Sequence, residues 1–260
     1  MNRRLATTAV AALVLLGGIG TAAAREWTKV RIATEGAYAP FNYVQPDGQL
    51  AGFDVDIANA LCAAMKVECT IVKQDWDGMI PALLARKFDA IVAQMSITEE
   101  RKKRVAFTDK YYQTPARAVI KEGSNIEISP AGLAGKKIGV QRETIHDKFV
   151  TATFADAEIV RYGTQDEANL DLTSGRVDVI FADSVALSEG FLKSDSGKGY
   201  VFAGPEFTDP AFFGDGAGIA IRKDTPELTA MFNTALAAIR ANGTYDTIAK
   251  KYFDFNVYGS

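Results

Sequence analysis

The chain has 260 residues, 48% of them apolar and 23% charged, with 29 lysines and arginines against 32 aspartates and glutamates. That composition suits a globular protein with a core and excludes collagen-like and charge-driven disordered chains. The slightly acidic balance lacks the basic patch of a nucleic-acid binder. One histidine and two cysteines leave almost no nitrogen or sulfur ligands for a metal site, so no metal is expected.

In chain order, Arg3 and Arg4 precede an uncharged stretch over 5–21, and Ala22-Ala-Ala24 supplies the small residues that a signal peptidase reads. A signal peptide over 1–24 and export of a soluble mature chain are predicted. A membrane anchor is the competing reading, disfavoured by the short apolar part and by Gly17, Gly18 and Gly20. Losing Arg3 and Arg4 would leave 27 basic against 32 acidic residues, a net charge of −5. In an oxidising compartment Cys62 and Cys69, with six residues between them, can close a local disulfide; buried free thiols are the alternative.

Apolar runs and amphipathic stretches then alternate. Strands are predicted over 30–34, 70–73, 88–93, 137–141, 158–162 and 177–182. Helices are predicted over 54–65, 77–86 and 144–154, and Thr164 with Glu167 forms a capping box that opens another. Residues 85–93 and 174–182 echo each other as helix end, turn and buried strand, which suggests two lobes of like topology. Thr225 and Pro226 open a strong C-terminal helix that Gly243 ends, and a last helix covers 245–253. The pattern predicts an α/β fold of mostly parallel sheets with helices on both faces.

Ligands of such sheets bind beyond the carboxyl ends of the strands. Those positions hold Glu35 and Tyr38, Trp76, Gln94 and Ser96, Arg101, Thr144 to His146, and Asp183. Two aromatics, two carboxylates, one arginine and several small donors suit a small zwitterion. No Gly-rich phosphate loop is present, because residues 213–218 precede a strand and open no helix.

Motifs in order along the chain resemble a known family. They are Tyr38-Ala-Pro-Phe41, Gly52-Phe-Asp-Val-Asp56, Trp76-Asp-Gly-Met-Ile-Pro81, Asp89-Ala-Ile, Ser96-Ile-Thr98 with Arg101, Phe107-Thr-Asp109, Gly139-Val, Leu172-Thr-Ser-Gly-Arg176, and Gly243-Thr-Tyr-Asp246 through Lys251-Tyr252-Phe253. The sequence is similar to periplasmic solute-binding proteins of polar amino-acid ABC transporters, bacterial extracellular solute-binding protein family 3, near the lysine/arginine/ornithine- and histidine-binding proteins. Cys62 and Cys69 stand where that subgroup has its disulfide.

The resemblance implies a two-lobed fold with hinge crossings near 112–116 and 214–218, lobe 1 being 25–112 plus 217–260 and lobe 2 being 113–216. It implies that Arg101, with Ser96 and Thr144, takes a ligand α-carboxylate, and that Asp183 takes the α-ammonium. Tyr38 and Trp76 would sandwich the side chain, and Glu35 would face a distal cation. Ala93, Gln94, Gln141, Ile145 and His146 complete the expected ligand-binding set, His146 either touching ligand or closing the cleft edge. Ala93-Gln94-Met95 and Ile145 lack hydroxyls that the relatives usually carry there, which bears on specificity. The implied function is periplasmic capture of arginine, lysine, ornithine or histidine for an inner-membrane ABC permease, by a monomer without a cofactor. The alternatives are an opine-type arginine derivative or a neutral amino acid such as glutamine, and, more remotely, an exported cyclic-acid dehydratase. The absence of a nucleophile–base pair speaks against an enzyme.

Overall fold

The computed structural model describes residues 27–259; the expected signal peptide lies outside them. The described strands form two five-stranded sheets flanked by helices, with a small three-stranded sheet beside them. In the first large sheet the spatial order is Glu68–Lys73, Lys29–Thr34, Ala90–Ile91, Ala220–Ile221, Ala106–Phe107. In the second it is Glu158–Tyr162, Lys137–Gln141, Val179–Asp183, Ala116–Lys121, Tyr200–Phe207. In each, the first three are parallel, and the fourth runs antiparallel to both of its neighbours. That fourth strand is the one arriving from the other sheet.

The echo read between 85–93 and 174–182 has a structural counterpart. Asp89 N–H donates to Arg31 O at 2.8 Å, and Asp89 Oδ2 accepts from Arg31 N–H at 3.0 Å. Asp178 makes the same pair with Lys137, at 2.9 and 2.8 Å. Each aspartate, just before or at the head of the third strand of its sheet, clamps it to the start of the second, and so fixes their register.

Helix Phe53–Met65 turns Phe53, Ile57 and Leu61 into the core of the first lobe, where helix Pro226–Ala241 adds Leu228, Phe232 and Leu236. Cys62 and Cys69 are disulfide-bonded, with a Cα separation of 6.1 Å, which ties the helix end to the edge strand Glu68–Lys73. The second lobe buries Ile138, Val140, Phe149 and Phe181 on one face of its sheet and Val119, Ile180, Leu187 and Phe191 on the other. Between the sheets the chain crosses twice, and the crossings pair: Tyr111 N–H donates to Ala217 O and Ala217 N–H to Tyr112 O, both at 2.9 Å. Among the described residues no helix is long and apolar enough to cross a membrane.

Several element boundaries differ from expectation. Only Ala90–Ile91 of the expected strand 88–93 pairs on both sides, because its other neighbour, Ala220–Ile221, is two residues long. The expected helix 77–86 is a 3₁₀ turn, Trp76–Gly78, followed by Met79–Leu84. Thr225 sits at the N-cap, but its hydroxyl donates to Arg222 O at 3.0 Å and caps nothing. The helix ends at Ala241 with Asn242 as its C-cap, and Gly243 is the N-cap of the final helix, Thr244–Tyr252. The capping box of Thr164 and Glu167 is present as read.

Candidate functional site

One cleft between the two sheets is lined by all twelve expected residues: Glu35, Tyr38, Trp76, Ala93, Gln94, Ser96 and Arg101 from one side, Gln141, Thr144, Ile145, His146 and Asp183 from the other. Tyr112, Gln113, Thr114, Thr208, Phe213, Gly216 and Ala217 complete the lining. Sequence reasoning does not single these out as site residues. The available signal is that 112–116 and 214–218 are expected crossings, and a crossing beside a cleft forms its floor.

Arg101 enters from the short helix Glu99–Lys102, whose cap Thr98 accepts from the Arg101 N–H at 3.3 Å. Its guanidinium is buried, donates through Nη1 to Ser96 O at 3.0 Å, and lies 5.2 Å from the centre of the Trp76 ring. Among the described residues no carboxylate forms a salt bridge with it. Burial lowers its pKa to about 10, which leaves it charged at neutral pH.

Thr144 caps helix Ile145–Thr153: its Oγ1 accepts from Asp147 N–H at 3.1 Å and donates to Gln141 O at 2.8 Å. With that hydroxyl engaged, the donor Thr144 can offer a ligand is its backbone N–H. His146, in the first turn of the same helix, packs 6.2 Å from Phe181 and 6.0 Å from Phe213, centre to centre. Burial, reinforced by Arg101, lowers its pKa to about 3, so the imidazole is neutral.

The acids lie elsewhere in the cleft. Asp183 ends its strand; Oδ1 accepts from Val185 N–H at 2.8 Å and Ala186 N–H at 3.1 Å, and Oδ2 accepts from Thr114 Oγ1. Its pKa is raised to about 6 by burial, against those donors. Glu35 Oε1 accepts from Gln141 Nε2, across the cleft, at 2.5 Å. Burial pushes the Glu35 carboxyl up to about 7, and Asp166 and Asp75 push the same way. The Gln141 bond and the more distant Lys73 offset this in part, and among the described residues no lysine or arginine forms a salt bridge with Glu35. Tyr38 lies between the two acids: its Oη accepts from Asp183 N–H at 3.3 Å, and after burial both carboxylates raise its pKa.

The cleft is closed at its lips. Trp76 Nε1 donates to Glu143 O at 3.2 Å, Arg142 pairs with Asp77 at 2.6 Å, and Lys148 pairs with Glu100. The interior thus holds one buried guanidinium grouped with Trp76, Ser96 and His146, and two buried carboxylates grouped around Tyr38. A molecule with a carboxylate and two cationic groups would neutralise all three. Among the described residues no three His, Cys, Asp or Glu side chains are placed to hold a metal ion.

Residues 30–255 match the family model described as bacterial extracellular solute-binding proteins, family 3. The chain is 57% identical over 233 residues to the L-arginine-binding protein of Pseudomonas aeruginosa, covering 89% of this chain and 90% of that one. It is 44% identical over 255 residues to the lysine/arginine/ornithine-binding periplasmic protein of Escherichia coli, covering 96% and 98%. A solved ancestral arginine-binding protein bound to glutamine superposes with a TM-score of 0.82 at 35% identity, covering 89% of this chain and all of that one. The two-sheet architecture, the closed cleft and the match over nearly the whole described chain agree: this protein belongs to the bacterial extracellular solute-binding proteins of family 3.

Proposed function

We propose that the chain captures a cationic L-amino acid in the periplasm, arginine with lysine, ornithine and histidine as its class, and hands it to an inner-membrane ABC permease. It does so without catalysis and as a monomer, after removal of residues 1–24. The observation that carries the reading is Glu35: a buried carboxylate whose hydrogen-bonding side-chain partner, among the described residues, is the neutral Gln141 amide alone. Facing a neutral ligand, such a group keeps its desolvation cost, whereas a guanidinium or ammonium offsets it.

The roles follow the chemistry. Arg101 takes the α-carboxylate by charge-assisted hydrogen bonds, with the backbone N–H groups at Thr144 and Ile145 beside it. Asp183 takes the α-ammonium from the opposite lobe. Tyr38 and Trp76 cover the aliphatic chain, and Glu35 receives the distal cation. Because these groups come from both sides of the cleft, ligand favours closure of 113–216 onto 25–112 plus 217–260, a hinge movement about the paired crossings. Glutamine is the second reading, favoured by the neutral Gln141 and Gln94 amides in the lining.

Thermal unfolding of ligand-stripped protein with arginine, lysine, ornithine, histidine and glutamine tests the proposal. Ligand at a hundredfold over its Kd stabilises by about 2.7 kcal/mol. The cationic amino acids are expected to raise Tm more than glutamine, and Glu35→Gln to narrow the gap. A larger shift with glutamine than with any cationic amino acid would transfer the reading to the neutral class.

A further inference from the structure

Behind the cleft lies a buried acid that the binding scheme does not use. Asp54, in the first turn of helix Phe53–Met65, is fully buried and has no lysine or arginine salt bridge among the described residues. Tyr111 Oη donates to Oδ1 at 2.7 Å and Asn42 Nδ2 to Oδ2 at 2.9 Å, with the Gln94 N–H and the Tyr112 hydroxyl also facing the carboxyl group. Asn42 Oδ1 in turn accepts the Gly36 N–H at 2.8 Å, and that contact is buried.

The polarity of this chain of bonds is set at its end. A backbone N–H can only donate, so Asn42 must turn its oxygen to Gly36 and its amide nitrogen to residue 54. Residue 54 must then accept from Asn42, and it accepts from Tyr111 as well. A carboxylate accepts from both; an asparagine that turns its oxygen to Asn42 would turn its amine to Tyr111 and reverse the direction of that bond, the hydroxyl then accepting. Gly36 has φ +80°, a left-handed conformation natural to glycine, and its peptide is the one that follows Glu35. At the other end, Tyr111 is held in the crossing by its N–H to Ala217 O and by its carbonyl, which accepts from Tyr245 Oη at 2.5 Å.

We propose that Asp54 is a positioning residue for the side-chain end of the cleft: through Asn42 it fixes the Gly36 peptide, and with it the direction in which Glu35 enters the cavity, and through Tyr111 it ties that direction to the hinge crossing. The proposal rests on the cationic-ligand reading given above. It requires that damage to the chain of bonds reduce discrimination by charge, because Glu35 is the group that senses charge. Damage to folding or closure alone would weaken all ligands alike.

The test is calorimetric titration with L-arginine and with L-citrulline, which has nearly the same shape and no side-chain charge. It uses wild type, Tyr111→Phe, Asn42→Asp, and the exchange Asn42→Asp with Asp54→Asn. Asn42→Asp sets two carboxylates face to face, and is expected to lower the arginine-to-citrulline preference about tenfold; Tyr111→Phe, losing one donor, lowers it about threefold. In the exchange variant the carboxylate now at position 42 accepts from Gly36 and from the amide amine now at position 54, whose oxygen accepts from Tyr111. The run of bonds from Gly36 through 42 and 54 to Tyr111 is restored, and preference is expected to return to within about twofold of wild type.

Equal weakening of both ligands, with preference unchanged in Tyr111→Phe and Asn42→Asp, would overturn the proposal, as would a folded exchange variant that stays unselective. If a variant at position 42 does not fold, Tyr111→Phe decides alone. Wild type that shows no preference for arginine overturns the cationic reading itself, and this inference with it, and is recognised before any variant is compared.

Discussion

At the scale of single residues, the cleft is organised around acids that burial has left costly to ionise. Glu35 is pushed up to about 7 and Asp183 to about 6, in both cases first by desolvation. A cationic ligand favours their ionised forms, so the complex holds these protons less tightly than the free cleft. Between the bound and free pKa values the free protein carries more protons, and binding releases them. Arginine affinity is therefore expected to rise from pH 5 to about pH 7 and to level off above, with the rise smaller in Glu35→Gln. Calorimetry in two buffers of different ionisation enthalpy reads the released protons; an affinity that falls across this range would contradict the assignment. Asp183→Asn keeps the Oδ1 acceptor for Val185 and Ala186 and removes the charge. It is expected to weaken arginine and citrulline alike, by about a hundredfold, because both present the same α-ammonium. The strand-end rule made Glu35, Arg101 and Asp183 legible in the sequence. It could not show that the Thr144 hydroxyl is occupied by a helix cap, or that Asp54 is fully buried while Asp56, two residues on, reaches Lys251 near the surface. Burial of that kind depends on elements far away in the chain.

At the scale of elements, the sequence carried most of what is local and less of what needs a partner. Strands Lys137–Gln141 and Glu158–Tyr162 and the Thr164 capping box follow from residues within reach of each other. The shortness of Ala90–Ile91 depends on a neighbour some 130 positions away, and nothing near residue 90 announces it. Gly190, within the π-helical segment Ala186–Leu192, likewise has its reason across the cleft: a Cβ there would lie 2.7 Å from Ala39 O. Gly190→Ala is expected to obstruct closure, weakening arginine and citrulline equally, by about tenfold, with ligand-free stability near wild type. A variant that binds as wild type would show that the lobes close without this contact. Cys62 and Cys69 lie outside the cleft lining, so the disulfide is expected to act on stability and not on ligand preference. Replacing both by serine is expected to cost about 2–3 kcal/mol in unfolding and to leave the arginine-to-citrulline preference unchanged.

At the scale of the whole molecule, two sheets built on one plan face each other across paired crossings, and neither carries a complete site. Arg101 and Glu35 come from one, Asp183 and Gln141 from the other, so full neutralisation of the buried charges requires closure. The two-lobed plan was legible from the repeated strand–helix pattern and the echo around Asp89 and Asp178. The lip pairs Trp76 to Glu143, Arg142 to Asp77 and Lys148 to Glu100 were not, because each joins residues that only the closed arrangement brings together. The central claim is that this cleft closes on an amino acid with a cationic side chain. Its most direct test is calorimetric titration of the refolded, ligand-stripped chain from residue 25 onward with L-arginine and then with L-citrulline. One-to-one binding, with arginine tighter by about tenfold or more, is the predicted result. Citrulline binding as tightly as arginine, or no heat from either in a demonstrably native protein, would contradict it.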